Sequence, residues 1–174
     1  MHDTSELAAA LYPAVLAAGA AIMSHYDAGT AMETKGDGSP VSDADRDAEA
    51  ILLAALATVA PGIPVVAEEA ASAGLVVHTG DTFFLVDPLD GTREFAARRL
   101  EFTVNVALVE NGRPVFGVIY APALSQLYWT QDGSAHKAAI PASPPQHLSG
   151  LDAQRLKTAR PHDGPQTIVA SRSH

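Results

Sequence analysis

The sequence predicts an α+β fold in which two long helices precede an antiparallel sheet. Three observations predict it. Apolar residues recur at helical spacing in two stretches between Leu7 and Val59. From Thr103 the pattern turns to strands, with Asn111-Gly112 as a hairpin pair between them. In the middle of the chain, two short apolar runs end in acidic residues, Glu68-Glu69 and Asp87-Pro88-Leu89-Asp90.

A length of 174 residues suits one ordinary domain with room for a short extension. With 47% hydrophobic and 18% charged residues, the chain can build a core, which excludes wholesale disorder. Eleven Lys and Arg against 20 Asp and Glu give a net charge of −9. That balance argues against a nucleic-acid groove, which needs clustered cationic side chains. It suits a protein that meets anionic substrates through bound cations. The absence of cysteine excludes disulfides, thiolate catalysis and Cys-based metal sites, and is compatible with a reducing cytosol.

Met1-His2-Asp3 is acidic, a poor start for a signal peptide. The Ala-rich stretch 7–23 contains Tyr12, Pro13 and Gly19 and falls short of about 20 strongly apolar residues, so no membrane span is expected. Instead a buried helix is predicted over 5–26. Asp3 and Glu6 stand at capping-box spacing, and Leu11, Val15, Ile22 and Met23 form its stripe. Pro13 is expected to kink or restart it, and Gly29 to end it. Residues 35–40 read as a flexible loop. A second helix starts at Ser42, with Asp45 completing a capping box, and buries Ile51, Leu52, Ala55, Leu56 and Val59 before Pro61-Gly62.

Strands are predicted over 64–67 and 83–86, with a loop over 70–80 between them and a short helix over 93–98 after the second. Strands over 103–110 and 113–120 form the hairpin, and 126–130 adds another. Residues 141–165, rich in Pro, His, Ser and Gly, read as a connector or poorly ordered segment before a strand over 167–170. The expected organisation is therefore a metal-binding α+β domain over 1–140, with 141–174 as connector and the start of a further α/β domain.

If the strands at 64–67 and 83–86 are neighbours, their ends gather Glu68, Asp87 and Asp90. Carboxylates so close repel one another unless a cation is present, and hard divalent ions with oxygen ligands, Mg²⁺ above all, meet that need. Pro88 would aim the Leu89 carbonyl into the same place. Gly91-Thr92 opens the short helix, whose free N–H groups suit a phosphate. Carboxylates beside an anion-binding helix start describe metal-assisted phosphoryl transfer to water. Singly, each signal has a plainer reading: an Asx turn for Asp87 to Gly91, a solvated Glu68-Glu69 loop, a simple cap for Asp45.

Together these segments resemble the inositol monophosphatase superfamily of Mg²⁺-dependent, lithium-sensitive phosphatases. The residues carrying the resemblance are Ala67-Glu68-Glu69, Asp87-Pro88-Leu89-Asp90-Gly91-Thr92 and Ser39-Pro40-Val41-Ser42 with Asp45. Arg93-Glu94-Phe95, Glu101-Phe102-Thr103-Val104-Asn105, Gly117-Val118-Ile119-Tyr120-Ala121-Pro122 and Ala170-Ser171-Arg172-Ser173-His174 are most similar to the CysQ-type 3′(2′),5′-bisphosphate nucleotidases. The resemblance implies the layered αβαβα sugar-phosphatase fold, of which this chain supplies mainly the N-terminal α+β part. It implies hydrolysis of adenosine 3′,5′-bisphosphate to AMP and phosphate in sulfur assimilation, in a cytoplasmic setting at most peripheral to the inner membrane.

Carried over by position, Glu68, Asp87 and the Leu89 carbonyl would hold one Mg²⁺, and Asp87 and Asp90 a second, in a site for two or three ions. Asp45 and Thr92 would orient the attacking water with Glu69 nearby, and Gly91 and Thr92 would bind phosphate. Arg93 stands where the family often has Lys. The family's later Trp-Asp metal motif has no counterpart here, since the single Trp, Trp129, precedes Thr130. The chain therefore resembles the first two-thirds of a family member, and would need the C-terminal remainder or a second subunit. Inositol monophosphatase activity, and a catalytically incomplete half-domain that binds metal or a partner, are the alternatives. A haloacid-dehalogenase-type site fits less well: it needs Asp-x-Asp, whereas Asp87 and Asp90 are three apart. The seven His lack i, i+4 pairs and read as surface residues; Arg98-Arg99 reads as a helix end or a phosphate contact, and Tyr128-Trp129 as core packing.

Overall fold

The computed structural model describes residues 3–29, 31–34 and 40–157. Helix α1 (Thr4–Ala28) is capped by Asp3, whose carboxylate accepts from the Ser5 and Glu6 amides. Gly29 closes it in the left-handed region (φ 70°), its N–H bonded to the His25 and Tyr26 carbonyls. Pro13 neither kinks the helix into two elements nor restarts it: α1 is one helix. Pro13 and Ala9 are both exposed, so water can serve the carbonyl that a proline cannot reach. The expected shortfall in apolar length is also corrected. By length and composition alone the 25-residue helix could cross a bilayer, since an 18-residue window within it has a mean hydropathy of 1.8. In the fold, Leu11, Val15, Ala18 and Ile22 instead pack into the core.

Strands β1 (Glu33–Thr34) and β2 (Pro40–Val41) form a two-stranded antiparallel ladder, so Pro40 belongs to a strand rather than to the expected loop. Residues 35–39, including Ser39, lie outside the described residues. Helix α2 (Asp43–Val59) begins with the expected capping box: Ser42 accepts from the Ala44 amide, and Asp45 returns to the Ser42 amide. Leu52 and Leu56 are fully buried against α1 and the sheet.

Strand β3 (Val65–Ala67) leads straight into α3 (Glu68–Ser72), a single helical turn where a loop was expected from Ala70. Strand β4 (Thr82–Asp90) is longer than the apolar run that predicts it, and α4 (Thr92–Ala96) is shorter than its expectation. Strands β5 (Thr103–Glu110), β6 (Arg113–Ala121) and β7 (Gln126–Gln131) follow, with Asn111 and Gly112 both at positive φ in the first hairpin. Two further strands, β8 (Ser134–Ala139) and β9 (Gln154–Arg155), were not expected. As far as 157, the supposed connector is packed: Leu148 is buried, and the Tyr12 hydroxyl donates to the Pro145 carbonyl. The strand expected over 167–170 and the motif Ala170 to His174 lie outside the described residues.

The seven strands form one sheet in sequence order, β3 to β9. β3 and β4 run parallel, and every other pair is antiparallel. Helices α1 and α2 cover one face, burying Phe84, Val86, Val104, Val106, Leu108 and Val118. On the opposite face Leu85 and Ile119 are exposed, at 42% and 44%. The architecture is thus helix layer on sheet, the α+β arrangement that the sequence predicts.

Candidate active site

The parallel pairing of β3 with β4 sets the site. Ala67 lies opposite Val86 in the last pair of that ladder, so the next residues, Glu68 and Asp87, follow side by side. The β4–β5 register then shifts between Asp87 and Asp90, a bulge that contains Pro88. Such a bulge re-aims side chains locally. Pro88 and Leu89 are buried, while Asp87 is half-buried and Asp90 exposed. The Asp87 carboxyl is pushed up to about 7, first by burial and then by the charges of Asp90 and Glu68, with a smaller push from Asp45; the Leu89 amide opposes the rise by donating to it.

Asp45 comes to the same place from the start of α2. It is buried, and its Oδ2 accepts from the Ser42 amide at 2.8 Å and the Ser42 hydroxyl at 2.9 Å. Its Oδ1 lies 3.5 Å from the Thr92 Oγ1. The Thr92 hydroxyl also reaches the Leu89 carbonyl, at 3.0 Å. One hydroxyl carries one proton, so the shorter bond to Leu89 is the stronger of the two.

Gly91 precedes α4 with φ 89°, a conformation that L side chains rarely adopt. A Cβ there would stand 2.8 Å from the Glu101 carbonyl oxygen. The backbone at Gly91 is therefore packed closely against Glu101 and Phe102 on the side a side chain would fill, which leaves room only for glycine. Glu69 is half-buried, and its amide donates to Glu49 Oε2 at 3.0 Å. Glu49 was missed by the sequence reading. Its signal was present: it follows Asp45 by four residues, which puts both carboxyls on one face of α2.

The structure thus brings together Asp45, Thr92, Leu89 and Asp87, with Glu68 and Asp90 beside them. Glu68 leans back along α3 towards the Ser72 hydroxyl (3.3 Å), and Asp90 towards the Asn105 amide (3.4 Å). Among the described residues no three Asp, Glu or His side chains converge closely enough to hold an ion as they stand. The donor set nevertheless fits a hard divalent cation in kind. It consists of carboxylate and carbonyl oxygens, and the central carboxyl is pushed up by burial and by neighbouring charges, both of which a cation would offset.

Other expectations resolve as follows. Arg98 donates to the Tyr26 carbonyl and lies 4.0 Å over the Tyr26 ring, so it ties α4 to α1 rather than facing a ligand. Arg99 pairs with Glu94 at 3.8 Å. Trp129 is buried, as expected for core packing. His25 meets Asp47 at 2.8 Å on the surface. His136 departs from the surface reading: its ring stacks on Trp129, and its Nδ1 is buried with no hydrogen-bond partner among the described residues. His2, His162 and His174 lie outside them.

The chain matches the inositol monophosphatase family model over residues 3–173. It is 44% identical over 160 residues to the 3′(2′),5′-bisphosphate nucleotidase CysQ of Salmonella typhimurium, covering 90% of this chain and 60% of that one. Among solved structures it is similar to CysQ from Bacteroides thetaiotaomicron, with a TM-score of 0.63 at 35% identity over 88% of this chain and 59% of that one. An IMPase of Thermotoga maritima gives a TM-score of 0.63 at 27% identity over 75% and 51% of the two chains. The chain spans about 60% of the length of the curated relatives that it matches at the greatest length.

Proposed function

The chain belongs to the inositol monophosphatase family, and on that premise we propose that it carries the metal-binding portion of a Mg²⁺-dependent phosphatase. The substrate is adenosine 3′,5′-bisphosphate, and the products are AMP and phosphate. One observation carries this reading: the parallel β3–β4 pairing sets Glu68 beside Asp87, whose carboxyl is pushed up to about 7 by burial first and then by the charges of Asp90 and Glu68. The likeness to CysQ nucleotidases at 44% and 35% identity supports the choice of substrate.

In this reading Glu68, Asp87 and the Leu89 carbonyl hold one Mg²⁺, and Asp87 with Asp90 holds a second, in a site for two or three ions. When bound, the metal supplies Lewis acidity: it stabilises charge on the phosphoryl oxygens and lowers the pKa of water. The chain does the rest by position. Asp45, anchored by Ser42, acts with the Thr92 hydroxyl to orient the attacking water, with Glu69 alongside. The Gly91 and Thr92 amides, at the start of α4, take a phosphoryl oxygen. Water attacks phosphorus in line, the bond to the 3′ oxygen breaks, and that oxygen leaves as the 3′ hydroxyl once protonated. No covalent phosphoenzyme forms.

The exposed face of the sheet favours a further statement. Val66, Leu85, Ala107, Gly117 and Ile119 line an apolar depression of about 350 Å³ that reaches Glu68 and Asp87. A face of this kind beside the site suits a covering element, supplied by the C-terminal remainder of the fold or by a second subunit. Turnover by residues 1–174 alone is therefore expected to be slight. The setting is cytoplasmic, in sulfur assimilation, with no nucleic acid bound and no integral span.

The likeness to an IMPase favours inositol monophosphatase activity as the second reading. Phosphate release separates the two. It is measured on adenosine 3′,5′-bisphosphate and inositol 1-phosphate, with Mg²⁺, with chelator and with Li⁺, for this chain alone and extended to its relatives' length. The extended chain is expected to prefer the nucleotide, to need Mg²⁺ and to be inhibited by Li⁺. Efficient inositol 1-phosphate turnover without nucleotide turnover reverses the choice, and full activity of residues 1–174 removes the need for a covering element.

A further inference from the structure

Helix α3 starts without a cap of its own. Ala67, at its N-cap position, has no side chain that can accept a hydrogen bond. The first amides of a helix have no intrahelical acceptor, and Glu69 is the second residue of α3. Its amide is instead met by Glu49 Oε2 at 3.0 Å, from the second turn of α2. Glu49 is 8% exposed, and it stands four residues after Asp45, itself buried. Two buried carboxyls at that spacing disfavour the helix, so a residue of this kind is costly to keep for packing alone.

We propose that Glu49 is a positioning residue: it fixes the start of α3, and thereby the aim of the Glu68 and Glu69 carboxylates into the site. The inference rests on the metal-site reading above. The geometry behind it is specific. Glu68 and Glu69 occupy the first turn of a five-residue helix that follows directly on the three-residue strand β3. One bond to that turn, made from the same helix that carries Asp45, couples the water-orienting side of the site to the metal side. Groups that hold a ligand from behind commonly change metal affinity by 10–100-fold when removed.

Two variants separate the bond from the charge. Glu49→Gln keeps an oxygen acceptor and loses the charge, whereas Glu49→Leu keeps the bulk and loses both. Mn²⁺, a spectroscopic stand-in for Mg²⁺, is titrated into this chain by electron paramagnetic resonance, and amide exchange at Glu69 is followed in parallel. Glu49→Gln is expected to bind Mn²⁺ within about 3-fold of the wild type with Glu69 protected; Glu49→Leu is expected to bind about 10-fold or more weakly, with protection lost at Glu69 but kept in α1. Wild-type affinity in a folded Glu49→Leu overturns the inference alone, as does weak binding by Glu49→Gln with Glu69 still protected. If Glu49→Leu does not fold, Glu69 decides: free exchange in the wild type overturns the proposal, and protection shared by wild type and Glu49→Gln supports it. A wild-type chain that binds no Mn²⁺ overturns the metal-site reading itself, a result distinct from all of these.

Discussion

Asp45 and Thr92, 47 residues apart in the chain, meet at 3.5 Å, while the Thr92 hydroxyl also bonds the Leu89 carbonyl at 3.0 Å. The capping carboxylate of α2 is thus a site residue as well. If it orients water, Thr92→Val should lower kcat by about 100-fold or more and leave KM within a few-fold, because the hydroxyl acts on the reaction rather than on binding. Thr92→Ser, which keeps the hydroxyl, should stay within about 10-fold. Steady-state kinetics on a turnover-competent form checks both, and parallel losses in kcat for the two variants would contradict the assignment.

Ser42 links this site to stability. It is fully buried, caps the Ala44 amide and donates to Asp45 Oδ2. Ser42→Ala should destabilise the fold by about 1–2 kcal/mol, from the lost cap and the under-bonded carboxylate. Urea unfolding measures this, and a change under 0.5 kcal/mol (roughly the scatter of an ordinary surface substitution) would show that the capping box is not holding Asp45.

Asp87 gives a pH prediction. Its carboxyl is pushed up to about 7 by burial and by Asp90 and Glu68, so between about pH 4 and 7 the folded chain holds a proton that the unfolded chain releases. Stability without metal is therefore greatest at the acid end of that window and falls as pH rises through it. Asp87→Asn removes the dependence. In chelator at pH 8 the variant should melt higher than the wild type, by roughly 3 °C or more. Near pH 4 the two should converge. Thermal melts across this range check the sign, and a wild type that gains stability from pH 4 to 7 relative to the variant would refute it.

Gly91→Ala tests the turn into α4. At φ 89°, with a Cβ 2.8 Å from the Glu101 carbonyl oxygen, alanine must strain or shift the backbone. The expected cost is about 1–3 kcal/mol. It is read from urea unfolding, and an unchanged midpoint would mean that the turn relaxes freely.

How far the sequence discloses this follows from the range of each interaction. Asp87 to Thr92 are legible because the motif is local. So is the cap at Ser42 and Asp45. The pairing of Glu68 with Asp87 depends on two short strands running parallel, which adjacent apolar runs suggest but do not dictate. Glu49 stayed hidden because its partner is an amide 20 residues away, and a backbone N–H leaves no trace in residue type. Ser134–Ala139 lacks β-branched residues, so tertiary pairing with β7 rather than propensity makes it a strand. Residues 141–157 read as loop by composition, yet Leu148 and the long-range contact of Tyr12 with Pro145 seat them on α1. Pro13 misleads for a related reason: its cost depends on exposure, which the one-dimensional pattern does not report.

The most direct measurement of the central idea is calorimetric titration of Mg²⁺ into the wild-type chain and Asp87→Asn at pH 7.5. The account predicts saturable binding by the wild type and affinity at least about 10-fold weaker in the variant. Equal binding by both, or none by the wild type, would contradict it.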